Sequence, residues 1–103
     1  MIAEFSIIPV GSGEDVAQYV ASAVQMVDDS GLDYQLTAMG TLVEGDWEEV
    51  MKLISKIHDK IIQQVPRLEI NARFDDHKGR TNMIAKRVHE IEEITGREIS
   101  EAF

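Results

Sequence analysis

"YQLTAMGTLVEGDWEEV", residues 34–50, reads as a strand, a tight turn, a second strand and the first turn of a helix. With Met39 and Gly40 as the two turn residues, Ala38 pairs with Thr41, Leu36 with Val43 and Tyr34 with Gly45. Those pairs share one face of the hairpin. Gln35, Thr37, Leu42 and Glu44 fall on the other, and a slip of one residue would exchange the faces. Asp46 caps the helix that follows, with Glu49 three positions on to complete a capping box. Gln35, Thr37 and Glu44 put three hydrogen-bonding groups on one short apolar hairpin. They are either solvated surface or the floor of a site.

Outward from the hairpin, the helix after Asp46 carries Val50, Leu53, Ile54, Ile57 and Ile61 as one apolar stripe, and Pro66 ends it. "RLEINARFDD" (67–76) then alternates Leu68, Ile70, Ala72 and Phe74 against Arg67, Glu69, Asn71, Arg73 and Asp75, the clearest strand in the chain. On the N-terminal side, "IAEFSIIPV" (2–10) is a strand whose Phe5 and Ile7 alternate with Glu4 and Ser6. Pro9 is expected to end its regular pairing, because proline has no N–H for a ladder. "GSGEDVAQYVASAVQMVDDSG" (11–31) predicts a helix with Ser12 as N-cap, Asp15 in a capping-box variant, and Val16, Val20, Ala23, Val24 and Val27 along one side. Gly31 suits a left-handed C-terminal cap. A last helix over about 81–95 has Ile84, Val88 and Ile91 as its apolar edge.

The order is β-α-β-β-α-β plus a C-terminal helix. This α+β pattern predicts a ferredoxin-like sandwich with a four-stranded antiparallel sheet and both long helices on one face. The opposite face collects Glu4, Ser6, Gln35, Thr37, Glu44, Glu69, Asn71 and Arg73, mixed with Leu42 and Ile8. Such a face meets water, a ligand or a second subunit. At 103 residues the chain is one domain, 1–103, small enough that oligomerisation is a common supplement.

Ten basic residues against nineteen acidic ones give a formal charge of −9. That field repels nucleic-acid phosphates and anionic lipid headgroups and favours cationic or neutral ligands. No basic, aromatic-studded strand face is present to offset it. The absence of cysteine excludes disulfides, thiolate metal sites and thiol catalysis. Residues 1–10 have no basic n-region, and Glu4 and Ser6 interrupt the apolar run, so neither a signal peptide nor a membrane span is expected there. The cytoplasm is the expected location.

"GSG" (11–13) before a helix could bind phosphate through backbone N–H groups, but Ser12 is already explained as a cap. Acylphosphatase chemistry, known on this fold, needs an arginine in that loop, where Glu14 and Asp15 stand instead. His58, beside Ile57 at the edge of the second helix's stripe, is either a half-buried packing residue or a polar group aimed into a pocket. His77 after Asp75 and Asp76 invites a metal reading, although consecutive side chains at a strand end diverge. No catalytic constellation, metal site or cofactor site emerges.

"MIAEFSIIPVG", "YQLTAMGTLVEGD", His58 in the second helix and "FDD" at the end of the last strand together resemble the small thiamine-binding proteins of the YkoF-like, UPF0045 family. The most specific piece is "MGTLVEG" (39–45), and the likeness runs over nearly the whole chain. The resemblance implies a ferredoxin-like fold, a dimer or tetramer, and non-catalytic binding of thiamine or its hydroxymethyl-pyrimidine part. The family often has two arginines after the "DD" pair, where this chain has His77 and Lys78. A thiamine pyrimidine offers an amino donor and ring-nitrogen acceptors, and its thiazolium is a cation. The expected ligand-binding residues are therefore Gln35, Thr37 and Glu44, with Ser6 and Asn71 from neighbouring strands and His58 as an outlying candidate. The alternative is an oligomerisation module whose polar face is a wet subunit contact.

Overall fold

A computed structural model of the chain describes residues 1–11, 13 and 16–98. Its elements are β1 (Ile2–Val10), α1 (Ala17–Asp29), β2 (Asp33–Thr37), β3 (Gly40–Glu44), α2 (Trp47–Ile62), β4 (Arg67–Asp75) and α3 (Met83–Thr95). The strands form one antiparallel sheet in the order β2-β3-β1-β4. This is the expected α+β sandwich with an additional C-terminal helix. Among the described residues no helix is long and apolar enough to cross a membrane.

The core lies between α1, α2 and one sheet face. Ala3, Phe5, Ile7 and Val43 come from the sheet, Ala23 and Val27 from α1, and Val50, Leu53, Ile54, Ile57 and Ile61 from α2. Every residue of the α2 stripe read from the sequence is buried. Its capping box is also present: Asp46 accepts from the Glu49 N–H at 2.8 Å, and Glu49 Oε1 accepts from the Asp46 N–H at 3.1 Å. Leu68 and Ile70 pack against this core, and Phe74 lies opposite Ala3 with its ring 5.4 Å from that of Trp47.

Three local expectations are corrected. The hairpin turns at Ala38 and Met39, one step earlier on each arm, so that Thr37 pairs with Gly40, Leu36 with Thr41 and Gln35 with Leu42. Gly40 is spent inside the ladder because a Cβ there would come 2.9 Å from the Phe5 carbonyl oxygen of β1. The turn is held by Thr37, whose hydroxyl accepts from the Met39 N–H at 3.1 Å and donates to the Gly40 carbonyl at 2.9 Å. The pairing moves by two residues, so every side chain keeps its face.

Pro9 does not end β1, whose ladder to β4 continues through Pro9–Leu68 and Val10–Arg67. Only residues 2–5 of β1 also pair with β3, so Pro9 stands where one side of the strand is an edge, and there proline is tolerated. Along α1 the stripe is only partly buried: Ala23 and Val27 are covered, while Val16 and Val20 are each 39% exposed. The predicted Ser12–Asp15 cap lies outside the described residues, and Val16 occupies the N-cap position of α1 with no side-chain hydrogen bond. Gly31 has the expected left-handed conformation, φ 76°.

Candidate functional site

The sheet face away from α1 and α2 carries the even-numbered residues of β1 and β3, and α3 lies over one end of it. Between them is a cleft of about 560 Å³. Ile2, Glu4, Gln35, Leu42 and Arg73 form its floor. Met83, Ile84, Arg87 and Val88 of α3 form the opposite wall, and Asp75 and Asp76 stand at the end of β4. Ile2 and Leu42 would be apolar residues facing water without that helix. The Ile84–Val88 edge of α3 faces them across the cleft.

The path into α3 is unusual. Asn82, in the N-cap position, is left-handed with φ 57° and ψ 35°, and its side chain makes no capping bond. The cap comes from a different part of the fold. Glu44, at the end of β3, is only 9% exposed, and its two carboxylate oxygens accept from the Met83 N–H at 2.8 Å and the Ile84 N–H at 3.2 Å. A carboxylate at a helix N-terminus satisfies orphan N–H groups and sits favourably in the helix dipole. Arg87 adds a second tie, donating to Asp75 Oδ2 at 3.0 Å, though both side chains are more than half exposed and the pair contributes little by itself.

The six residues selected from the sequence fall in four places. Gln35 lies on the cleft floor and Glu44 just beside it, turned into α3. Thr37 is engaged in the hairpin turn. Ser6 and Asn71 face each other across β1 and β4 in a shallow depression of about 260 Å³, which shares Glu4 and Arg73 with the cleft. The half-buried placement weighed for His58 does not hold. It is exposed on α2, across the sheet from the cleft, with Nδ1 3.0 Å from Asp59 Oδ1. Stripe-edge position did not bury it because Ile54, Ile57 and Ile61, spaced i, i+3 and i+7, already fill the interface. Among the described residues no three His, Cys, Asp or Glu side chains converge to hold a metal ion.

Sequence reasoning missed the wall from α3 and the contributions of Glu4, Asp75 and Asp76. A signal existed: Leu42 on a polar sheet face and an unassigned apolar edge on the last helix each lacked a partner. Chemically, the cleft offers the carboxylates of Glu4, Asp75 and Asp76 and the amide of Gln35 beside apolar Ile2, Leu42, Ile84 and Val88, with Arg73 in its floor and Arg87 in its wall. That arrangement suits a small, flat, hydrogen-bonding molecule, and the protein's charge of −9 favours a cation.

Residues 3–92 match the model of a family described as "Thiamine-binding protein". UPF0045 protein MJ1052 of Methanocaldococcus jannaschii is 33% identical over 94 residues, covering 91% of this chain and 94% of that one. Its crystal structure superimposes with a TM-score of 0.80 at 34% identity, over 89% of this chain and 95% of the other. UPF0045 protein Mb1933 of Mycobacterium bovis is 34% identical over 93 residues, 89% of this chain and 91% of its own. A Thermotoga maritima structure, that of a candidate thiamine biosynthesis/salvage protein, has a TM-score of 0.76 at 19% identity, covering 87% and 96%, and shares the fold.

Proposed function

Because this chain belongs to the thiamine-binding protein family, we propose that it is a non-catalytic protein that binds thiamine or its hydroxymethyl-pyrimidine part in the cleft beneath α3. The observation that carries this reading is the cleft itself, about 560 Å³ in volume and lined by both apolar and hydrogen-bonding side chains. Pockets for small ligands commonly enclose about 300–1,000 Å³ and need only a few polar groups to orient the guest. Gln35 and Glu4 are suited to the amino group and ring nitrogens of a pyrimidine. Leu42 and Val88 offer apolar contact to its faces. Asp75 and Asp76 favour the thiazolium charge, and Ser6 and Asn71 extend the polar surface at the open end.

Thermal denaturation with and without ligand tests this. A ligand that binds only the folded state stabilises it by about 2.7 kcal/mol at a concentration one hundred times its dissociation constant. For a domain of this size that raises the melting temperature by more than 10 °C, at about 4–8 °C per kcal/mol. A melting temperature unmoved by millimolar thiamine and by the free pyrimidine removes the reading.

A second reading, an oligomerisation module without a small ligand, is favoured by one observation. Ile8, Met39, Ile91 and Ile94 are exposed by 43%, 85%, 50% and 80%, large apolar side chains that a second copy of the chain would cover. Self-association and ligand binding are compatible, and only binding moves the melting temperature with ligand.

A further inference from the structure

We infer that Glu44 is a positioning residue of the cleft: its buried carboxylate holds α3 in place as the cleft wall, and it governs ligand affinity through that helix without touching the ligand. The inference rests on the reading of the cleft as a thiamine or pyrimidine site. A carboxylate beside an acidic, cation-favouring cleft would ordinarily be assigned to the ligand's positive charge. The geometry points elsewhere. Both oxygens of Glu44 already accept backbone N–H groups, at 2.8 and 3.2 Å, and the side chain is 9% exposed.

What Glu44 holds is otherwise weakly held. Asn82 supplies no side-chain cap, so the first two N–H groups of α3 have Glu44 as their acceptor. Met83 is the single buried residue of the helix, and Ile91 and Ile94 beyond it are half or more exposed. The Arg87–Asp75 pair is at the surface. Met83, Ile84, Arg87 and Val88, which bound the cleft, therefore stand where they do chiefly because of the inner end of the helix. If that end is released, the wall is lost for any guest, whatever its charge.

This separates a positioning role from a direct contact. Two variants and two ligands suffice. Glu44→Gln keeps the shape, removes the charge and leaves one acceptor oxygen for two donors. Glu44→Asp keeps the charge but is one methylene too short to reach the helix. Thiamine is a cation, and the free hydroxymethyl-pyrimidine is neutral. Titration calorimetry is expected to show both variants losing affinity for both ligands by a similar factor, about tenfold, because binding must then re-order a helix end that has lost a charge-assisted hydrogen bond. Amide hydrogen exchange without ligand is expected to quicken in α3 and to stay slow in α2.

Loss of thiamine affinity alone in Glu44→Gln, with thiamine binding kept in Glu44→Asp, would mean that Glu44 meets the cation directly and would overturn the inference. So would unchanged affinities alongside faster exchange in α3, since the helix would then be irrelevant to the ligand. Should Glu44→Gln fail to fold, Glu44→Asp decides by the same two ligands. Wild-type protein that binds neither ligand overturns the ligand reading and this inference with it. The exchange data then show separately whether Glu44 secures the helix.

Discussion

Asn82 is the one residue other than glycine with positive φ among those described, and it directs the chain so that α3 starts against Glu44. A β-branched side chain is poorly tolerated in that conformation, whereas glycine adopts it freely. Asn82→Val is expected to cost about 1–3 kcal/mol, and Asn82→Gly close to nothing, in urea unfolding followed by circular dichroism. Equal costs would show that the left-handed turn carries no strain. A second residue-scale feature is Tyr34, whose hydroxyl donates to Asp28 Oδ1 at 3.0 Å. That hydrogen bond, together with the negative charge of the carboxylate, raises the phenol's pKa above its ordinary value. The sign follows directly: the contribution of the pair to stability is whole below the normal phenol range and is lost as pH rises through the raised folded-state value. Titration by phenolate absorbance should show Tyr34 ionising later than an ordinary tyrosine, and Asp28→Asn should bring it back.

At the scale of elements, α2 is the organising helix, since its five buried residues meet both the sheet and α1. Ile57 is fully buried and His58, its neighbour in sequence, is exposed. Ile57→Ala should therefore cost about 2–5 kcal/mol, while His58→Ala should stay within about 0.5 kcal/mol. Chemical denaturation of the two variants side by side measures the contrast. A large cost at His58 would mean that its bond to Asp59 matters more than a solvated pair should. The hairpin makes the complementary point. Thr37 looks like a ligand residue by its face, yet its hydroxyl is already committed to the turn that sets the register.

For the whole molecule, the uncovered residues form a pattern. Ile8 is exposed on β1, Met39 in the hairpin turn beside the Ser6–Asn71 depression, and Ile91 and Ile94 toward the end of α3. Burying two such surfaces against a second copy would remove apolar area from water at roughly 25 cal/mol per Å². Sedimentation at micromolar concentration is expected to give a mass above the 11.6 kDa of one chain. Ile94→Lys is expected to shift the distribution toward the monomer. A wild-type value of one chain would leave these residues as unpaired surface.

The order of the elements, the faces of alternating residues such as Phe5 and Ile7 or Leu68 and Ile70, the capping box at Asp46 and the whole α2 stripe were legible in the sequence. These are set by neighbours two to four positions apart, and side-chain periodicity reports them. Hairpin register was less legible, because a shift of two residues preserves both faces and leaves the pattern unchanged. The close approach of Phe5 to Gly40, a contact between strands distant in sequence, and the bonds of the Thr37 hydroxyl across the turn accompany the observed pairing. Gln35 and Glu44 do lie on the sheet face that the alternation assigns them, but polarity does not say what stands opposite. Glu44 finds its donors 39 and 40 positions further along, and the cleft exists because α3 returns across the sheet to meet it. Periodicity says which way a side chain points, whereas its partner depends on where the rest of the chain is packed.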